Sequence, residues 1–129
     1  MESPVFNQSL ARCRILVVED EYFIADDMAK ALEKLGAEVV GPAADQEKAL
    51  ALLSSAELID AAVLDINLRG ATVFPIADIL IEQGVPFVFA TGYAPASVPP
   101  VYAGIPRWEK PFNPGDLVRS LPKLVREAQ

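Results

Sequence analysis

The stretch Ala61-Ala62-Val63-Leu64-Asp65 places a carboxylate at the end of an apolar run, and the turn-like residues 66–70 follow it. The apolar residues have the composition of a buried strand, in which an unpaired charge would be costly. A carboxylate at the end of the strand can instead face an open crevice. The run Ile15-Leu16-Val17-Val18 is followed in the same way by Glu19 and Asp20. Three carboxylates at the ends of two apolar strands indicate a site for a cation.

Short apolar runs alternate with amphipathic segments along most of the chain. This pattern predicts five strands, over residues 14–19, 37–42, 60–65, 85–90 and 105–109. It also predicts helices over 21–35, 45–55 and 75–83, and a last helix that begins at the capping pair Asn113-Pro114. Continuous apolar strands that alternate with helices are typical of an α/β fold with a parallel sheet covered on both faces. Such sheets bind ligands beyond the carboxyl ends of their strands.

Prolines interrupt this regular pattern in three places. Residues 92–104, between the fourth and fifth strands, contain three prolines, so we expect a fourth helix that is short, irregular or disordered. Pro42 favours an edge position for the second strand, because proline cannot donate to a sheet ladder. Pro122 is expected to kink the last helix.

The composition excludes several classes of function. The chain has 129 residues, a net charge of −7, one cysteine and no histidine. The negative charge argues against nucleic acid or an anionic membrane as a partner. The missing histidine excludes histidine-based catalysis and histidine metal sites. We assign residues 1–12 to an N-terminal tail and 13–129 to one domain. With no membrane span and no secretory signal, we expect a cytoplasmic protein.

The residues that could bind a ligand or take part in a reaction lie at or directly after the ends of four of the predicted strands. They are Glu19 with Asp20, Asp65, Thr91 and Lys110. The carboxyl ends of parallel strands share one edge of a sheet, so these side chains are expected to converge. Oxygen ligands without histidine favour Mg²⁺, with Mn²⁺ or Ca²⁺ as substitutes. The lysine and the threonine suit a phosphoryl group held on Asp65, because an aspartate can act as the nucleophile in phosphoryl transfer.

Each of these residues also has an ordinary interpretation. Asp20 alone would be a cap for the helix that starts near Glu21, and Asp65 alone would be a turn residue. Thr91 would begin a loop, and Lys110 would be a surface lysine. Their joint occurrence on successive strand ends favours a functional site.

The same residues carry a family resemblance. The pair Glu19-Asp20, Asp65 with Asn67 two residues later, Thr91-Gly92 and Lys110-Pro111-Phe112 resemble the signature of response-regulator receiver domains, which are CheY-like. The resemblance covers about residues 14–127. The stretch Phe89-Ala90-Thr91-Gly92-Tyr93 further resembles the FAT GUY subgroup of these domains.

The resemblance implies a fold and a role for each site residue. The fold is a flavodoxin-like three-layer α/β/α sandwich with a five-stranded parallel sheet in the order 2-1-3-4-5. Asp65 would accept a phosphoryl group from the phosphohistidine of a sensor histidine kinase. Asp20 and Asp65 would bind Mg²⁺ through their carboxylates, Asn67 through its backbone carbonyl, and Glu19 directly or through water. Thr91 and Lys110 would bind the phosphoryl oxygens.

Two positions depart from the family pattern. Glu19 stands where many receivers have aspartate. Arg107 stands three residues before the lysine, where the family usually has the tyrosine or phenylalanine that couples to the threonine. Trp108, Tyr93 and Tyr102 are candidate substitutes for that aromatic residue. We hypothesise that phosphorylation orders the proline-rich segment 93–104.

The sequence leaves alternative functions open. The first is a stand-alone phosphorelay regulator that catalyses only its own phosphorylation and dephosphorylation. It would act on an unknown downstream protein or serve as a phosphate sink, since the chain ends soon after the last predicted helix. The second is a Mg²⁺-dependent aspartyl-phosphate phosphohydrolase, although Asn67 stands where such enzymes commonly have a second aspartate. The third is a receiver-like fold that no longer signals by phosphate.

Overall fold

A five-stranded parallel sheet forms the centre of the computed structural model, which describes residues 9–55, 58–92 and 98–128. Its strands are β1 (Arg14–Val18), β2 (Glu38–Ala43), β3 (Ala61–Asp65), β4 (Phe87–Thr91) and β5 (Arg107–Glu109). They lie in the order 2-1-3-4-5, and every neighbouring pair is parallel. The predicted fold class and strand order are therefore confirmed.

The helices begin and end where local residues favour it. They are α1 (Tyr22–Lys34), α2 (Gln46–Ser54), α3 (Phe74–Gln83), α4 (Pro114–Arg119) and α5 (Leu121–Glu127). Asp45 caps α2 by accepting a hydrogen bond from the Lys48 amide at 2.8 Å. Gly84 ends α3 in the left-handed conformation, with φ of 73°. The predicted last helix breaks into α4 and α5 at Ser120, because Pro122 in the first turn of α5 has no amide hydrogen to continue the ladder.

Successive side chains along each strand point to opposite faces of the sheet, so the core is divided into two layers. In β1, Leu16 and Val18 pack with the apolar side chains of α2 and α3. Ile15 and Val17 point to the opposite face and pack with those of α1, α4 and α5. This arrangement gives the predicted three-layer sandwich. No helix within the described ranges is long and apolar enough to cross a membrane.

The second strand, β2, lies at an edge of the sheet and has an irregular backbone near its end. β2 is an edge strand, as Pro42 predicted, and it continues one residue past that proline to Ala43. Its register with β1 shifts between Leu16 and Val18, and Gly41 adopts φ of 99°. A side chain at Gly41 would approach the Val17 carbonyl oxygen to 3.0 Å, so the irregular backbone requires glycine here.

The N-terminal segment contributes to the core before β1 begins. Leu10 is only 1% exposed and packs with the layer formed by α1, α4 and α5. Its amide donates to the Leu35 carbonyl at 2.9 Å. The boundary between tail and domain at residue 13 stays a prediction, but the described chain is already anchored at Leu10.

A short hairpin, with two residues in each strand, replaces the simple turn expected after Asp65. Asn67–Leu68 and Ala71–Thr72 pair as short antiparallel strands. The Val73 amide then donates to the Ile66 carbonyl at 2.9 Å and closes the loop before α3. The hairpin was missed because strands of two residues have no recognisable hydrophobic period.

The proline-rich segment carries a single turn of 3₁₀-helix, Pro100–Tyr102, within its described part. The rest of the segment, residues 93–97, lies outside the described residues, and Tyr93 with it. Tyr102 is buried, and its hydroxyl donates to Asp78 Oδ1 at 2.5 Å. Its ring stacks on Phe74, with centroids 4.9 Å apart and an interplanar angle of 9°. A short, irregular helix was predicted here, and the described part agrees.

Burial, together with the hydrogen bond to Asp78 and its negative charge, raises the pKa of Tyr102 to about 12. The fold thus favours the neutral phenol. The stability that it contributes is complete below pH about 10, where the unfolded phenol is also neutral, and is lost as pH rises from about 10 to about 12.

We expect Tyr102→Phe to lower the free energy of unfolding by about 0.5–1.5 kcal/mol at pH 7, because it removes the hydrogen bond from the buried phenol to Asp78, whose exposed carboxylate water can then solvate. The difference from wild type should shrink above pH about 10, where the wild-type phenol ionises in the unfolded state. Urea unfolding between neutral and alkaline pH measures both effects. Tyr22→Phe is the matched control, since Tyr22 is 73% exposed. An equal loss in both variants would contradict the expectation.

Candidate functional site

The functional residues lie at one edge of the sheet. Glu19 and Asp20 follow β1, Asp65 ends β3, Thr91 ends β4, and Lys110 follows β5. The three inner strands are in register, since Val18 pairs with Leu64 and Asp65 with Ala90. Parallel strands therefore deliver their carboxyl ends to the same place, as the sequence predicted.

Three carboxylates form a compact cluster at this edge. The nearest oxygens of Glu19, Asp20 and Asp65 all lie within 4.8 Å of one another. Glu19 and Asp65 are each only 5% exposed, and Asp20 is half-buried. Carboxylate oxygens at this separation are a donor set that suits a hard divalent cation, and their mutual repulsion gives the cation a large electrostatic stabilisation. The residues present therefore fit Mg²⁺.

Lys110 supplies a half-buried positive charge to this cluster. Its Nζ donates to Glu19 Oε2 at 3.0 Å and to Asp65 Oδ2 at 3.3 Å, and Glu21 Oε1 lies 3.8 Å away. Burial acts to lower the pKa of Lys110, but the hydrogen bond to Glu19 and the charges of the three carboxylates raise it. The ammonium group is therefore held in its charged form beside Asp65.

The environment also changes the acidity of Asp65. Burial, the negative charge of Glu19 and hydrogen bonds with Glu19 and Asp20 raise the pKa of Asp65 to about 8, against the opposing effect of Lys110. The cost of ionising Asp65 in this cluster is thus only partly offset by one lysine. A further cation would complete the compensation.

Thr91 is buried at the end of β4. It is 2% exposed, and its carbonyl accepts a hydrogen bond from the Lys110 amide at 2.8 Å. The backbone thus ties the two predicted phosphoryl-binding residues together. Asn67 lies two residues after Asp65, exposed in the hairpin and paired with Thr72. The roles of Thr91 and Asn67 in binding stay predictions.

The ordinary interpretation of Asp20 as a helix cap is not supported. The residue that precedes the first turn of α1 is Glu21, and its side chain makes no capping hydrogen bond. The Glu21 amide instead donates to Glu19 Oε2 at 3.1 Å. Glu21 itself was missed as a member of the site. The signal was its position in an uninterrupted acidic triplet, Glu19-Asp20-Glu21.

Two clefts open on either side of the first turn of α1. One of about 470 Å³ is lined by Lys110 and by the apolar side chains of Ile24 and Phe112. The other, of about 360 Å³, is lined by Glu19 and Asp20 together with Arg69 from the hairpin. Arg69 is a second cation near the site whose placement the sequence did not indicate. The cluster can therefore be approached by a reactant despite the burial of its carboxylates.

Comparisons with known proteins identify the family. No family model matches the chain, and no curated protein matches it. Among solved structures, SdrG from Sphingomonas melonis Fr1 is 39% identical, with a TM-score of 0.73 over 88% of this chain and 96% of that one. A CheY-like response regulator receiver domain protein from Methanospirillum hungatei JF-1 is 30% identical, with a TM-score of 0.78 over 90% and 95%.

A third solved structure, a response regulator receiver protein from Sinorhizobium medicae WSM419, is 26% identical, with a TM-score of 0.78 over 94% of this chain and 100% of that one. The chain belongs to the CheY-like response-regulator receiver domains of two-component signalling. The family resemblance read from the strand-end residues is therefore confirmed.

Proposed function

We propose that this receiver accepts a phosphoryl group on Asp65 from the phosphohistidine of a sensor histidine kinase, in a reaction that requires Mg²⁺. The observation that carries the proposal is the position of Lys110 Nζ, 3.3 Å from Asp65 Oδ2 in a cluster with Glu19 and Asp20. A buried carboxylate with a fixed cation on one side and a cation-binding donor set on the other is suited to phosphoryl transfer.

The residues divide the chemistry among them. An oxygen of the Asp65 carboxylate attacks phosphorus, a new O–P bond forms, and the P–N bond of the phosphohistidine breaks. The electron pair of that bond returns to the imidazole nitrogen. Lys110 pairs with the charge on the phosphoryl oxygens, and the Thr91 hydroxyl donates to one of them. Mg²⁺ bound by Glu19, Asp20, Asp65 and the Asn67 carbonyl would supply charge neutralisation.

The biological role follows from this chemistry. The protein acts as a phosphorelay regulator in the cytoplasm, where ATP feeds the kinase, and catalyses only its own phosphorylation and dephosphorylation. Its output is a contact with a downstream protein, or the withdrawal of phosphoryl groups from the kinase. Membership of the FAT GUY subgroup is proposed on the sequence Phe89-Ala90-Thr91-Gly92-Tyr93.

The test is the intact mass of the protein after incubation with Mg²⁺ and acetyl phosphate. Attack by Asp65 then breaks the P–O bond of the donor and releases acetate. We expect one added phosphoryl group in wild type, none in Asp65→Asn, and none in wild type with a chelator. Asp116→Asn is the matched control, because Asp116 is exposed on α4 and pairs with Arg119 away from the site.

Two outcomes would contradict the proposal. A phosphoryl group that persists in Asp65→Asn would place the acceptor elsewhere. Steady release of phosphate from several phosphomonoesters, abolished in Asp65→Asn, would identify the phosphohydrolase instead.

A further inference from the structure

We propose that Tyr102 relays the state of Asp65 to the surface segment 98–105, in the role that an aromatic residue at position 107 would otherwise have. This inference rests on the proposed phosphorylation of Asp65 and concerns how the phosphorylation state of that residue changes the conformation of the surface segment. The Tyr102 latch, as we call it, consists of Tyr102 and the three residues that hold it, Phe74, Asp78 and Phe89.

The latch fixes the segment to α3. Tyr102 is 5% exposed, its hydroxyl donates to Asp78 at 2.5 Å, and its ring stacks on Phe74. The edge of the ring meets Phe89 at a centroid distance of 5.9 Å and an angle of 89°. Phe74 and Phe89 also meet edge to face, at 6.2 Å. One side chain from the segment thus contacts both α3 and the sheet.

Phe74, on which the Tyr102 ring stacks, follows the hairpin that begins after Asp65. The hairpin after Asp65 closes where the Val73 amide donates to the Ile66 carbonyl at 2.9 Å. Phe74 is the next residue and begins α3. A change in backbone position at Asp65 and Ile66 is therefore transmitted through this bond to the residue on which Tyr102 stacks.

Phe89, which the edge of the Tyr102 ring contacts, lies on the same strand as Thr91. Phe89 lies two residues before Thr91 in β4, and side chains two apart in a strand point to the same face. Thr91 is the residue whose hydroxyl would bind the phosphoryl group. The ring of Tyr102 therefore touches one residue from each of the two chain segments that would hold the phosphoryl group.

Neither Arg107, which stands at the position of the missing aromatic itself, nor Trp108, the other described candidate substitute, has this placement. Arg107 is exposed on the edge strand β5, in register with Phe89. Trp108 packs with Phe112 in the layer formed by α1, α4 and α5, on the face opposite to Phe89. Tyr93 lies outside the described residues. Among the described candidates, Tyr102 is the one on the Thr91 face.

The relay predicts a change in local opening of the segment. New contacts from a phosphoryl group to Thr91 and to the loop after Asp65 would restrain both of the phenylalanines that contact the ring, so that the latch opens less often. The amides of Tyr102, Ala103 and Ile105 report this opening, because each donates within the segment at 3.0 Å. Their exchange rates should fall when the site is occupied.

The experiment measures amide exchange with and without Mg²⁺ and beryllofluoride, a mimic of the phosphoryl group, with the bound mimic verified by fluorine NMR. In wild type we expect the three amides to exchange several-fold more slowly with the mimic. In Tyr102→Phe, which keeps the ring but loses the hydrogen bond, basal exchange should be roughly tenfold faster. The effect of the mimic should also fall to less than half. Asp78→Ala should behave like Tyr102→Phe, and Tyr22→Phe like wild type.

The ratio of exchange with and without the mimic distinguishes a relay from simple packing, since a purely structural Tyr102 would shift both rates equally. The same ratio in Tyr102→Phe as in wild type, or no change in wild type with the mimic bound, overturns the relay while phosphorylation of Asp65 stands. Failure of both the mimic and acetyl phosphate to load Asp65 overturns the relay and the proposed function together.

Discussion

Lys110→Met is expected to lower the rate of phosphoryl uptake from acetyl phosphate by about 100-fold or more, with Asp65 still present. The Lys110 ammonium lies 3.3 Å from Oδ2 of Asp65, the carboxylate that we propose attacks phosphorus, and would pair with the charge on the transferring group. Removing one such preorganised donor from a buried site typically costs a factor of 10²–10³. The measurement is the time course of the phosphorylated mass at a fixed concentration of donor and Mg²⁺.

The same change should lower the stability of the fold. Lys110 also donates to Glu19 at 3.0 Å, and its removal leaves two buried carboxylates without their cation. Breaking a buried ion pair in this way costs about 3–5 kcal/mol, so the rates must be compared below the melting temperature of the variant.

Two further variants separate charge from folding in this test. Lys110→Arg keeps the positive charge and should retain more activity than methionine. Lys30→Met is the matched control, because Lys30 is exposed and pairs with Asp26 on α1. A folded Lys110→Met protein that takes up phosphoryl groups at the wild-type rate would show that the lysine has no part in the transfer.

The convergence of the site could be predicted because it depends only on strand order and direction. Apolar runs predicted β1, β3 and β4, and Glu19, Asp65 and Thr91 directly follow those runs. Lys110 follows the fifth predicted strand. The contacts of Lys110 could not be predicted in this way. Three carboxylates compete for its ammonium, and the shares that Glu19, Asp65 and Glu21 receive depend on side-chain geometry.

The proline-rich segment, residues 93–104, was the least predictable part of the fold. Its prolines predicted a fourth helix that is short, irregular or disordered, and the described part, from residue 98 onward, carries one 3₁₀ turn, Pro100–Tyr102. However, the pairing of Tyr102 with Asp78 joins residues 24 apart in sequence, and no local period reports such a contact. The missing aromatic at position 107 predicted a departure from the usual coupling without showing what replaces it. The contacts on which we propose Tyr102 as the replacement form only when α3 and residues 98–105 are packed on the same face of the sheet.

Asp65→Asn is expected to be more stable than wild type in metal-free buffer, by at least about 1 kcal/mol at pH 8. In wild type, burial and the charge of Glu19 disfavour ionisation of Asp65 in the folded state, while the unfolded state ionises it freely; asparagine carries no charge in either state. The folded-state pKa of about 8 lies above the unfolded value, so the penalty is absent below pH about 4 and grows as pH rises to about 8. The difference between the two melting curves should therefore widen over this range. A difference independent of pH would contradict this account.

Mg²⁺ should reverse this order of stability. A cation that binds the native cluster of Glu19, Asp20 and Asp65 adds RT ln(1 + [Mg²⁺]/Kd) to the free energy of unfolding, about 2.7 kcal/mol at a hundredfold excess over Kd. We expect the melting temperature of wild type and of the control Asp116→Asn to rise with added MgCl₂. Asp65→Asn and Asp20→Asn should respond much less, because each has lost one carboxylate ligand. An equal rise in all four proteins would mean that Mg²⁺ acts on the general surface charge of this acidic chain, since only a site-specific ion discriminates between Asp65 and Asp116.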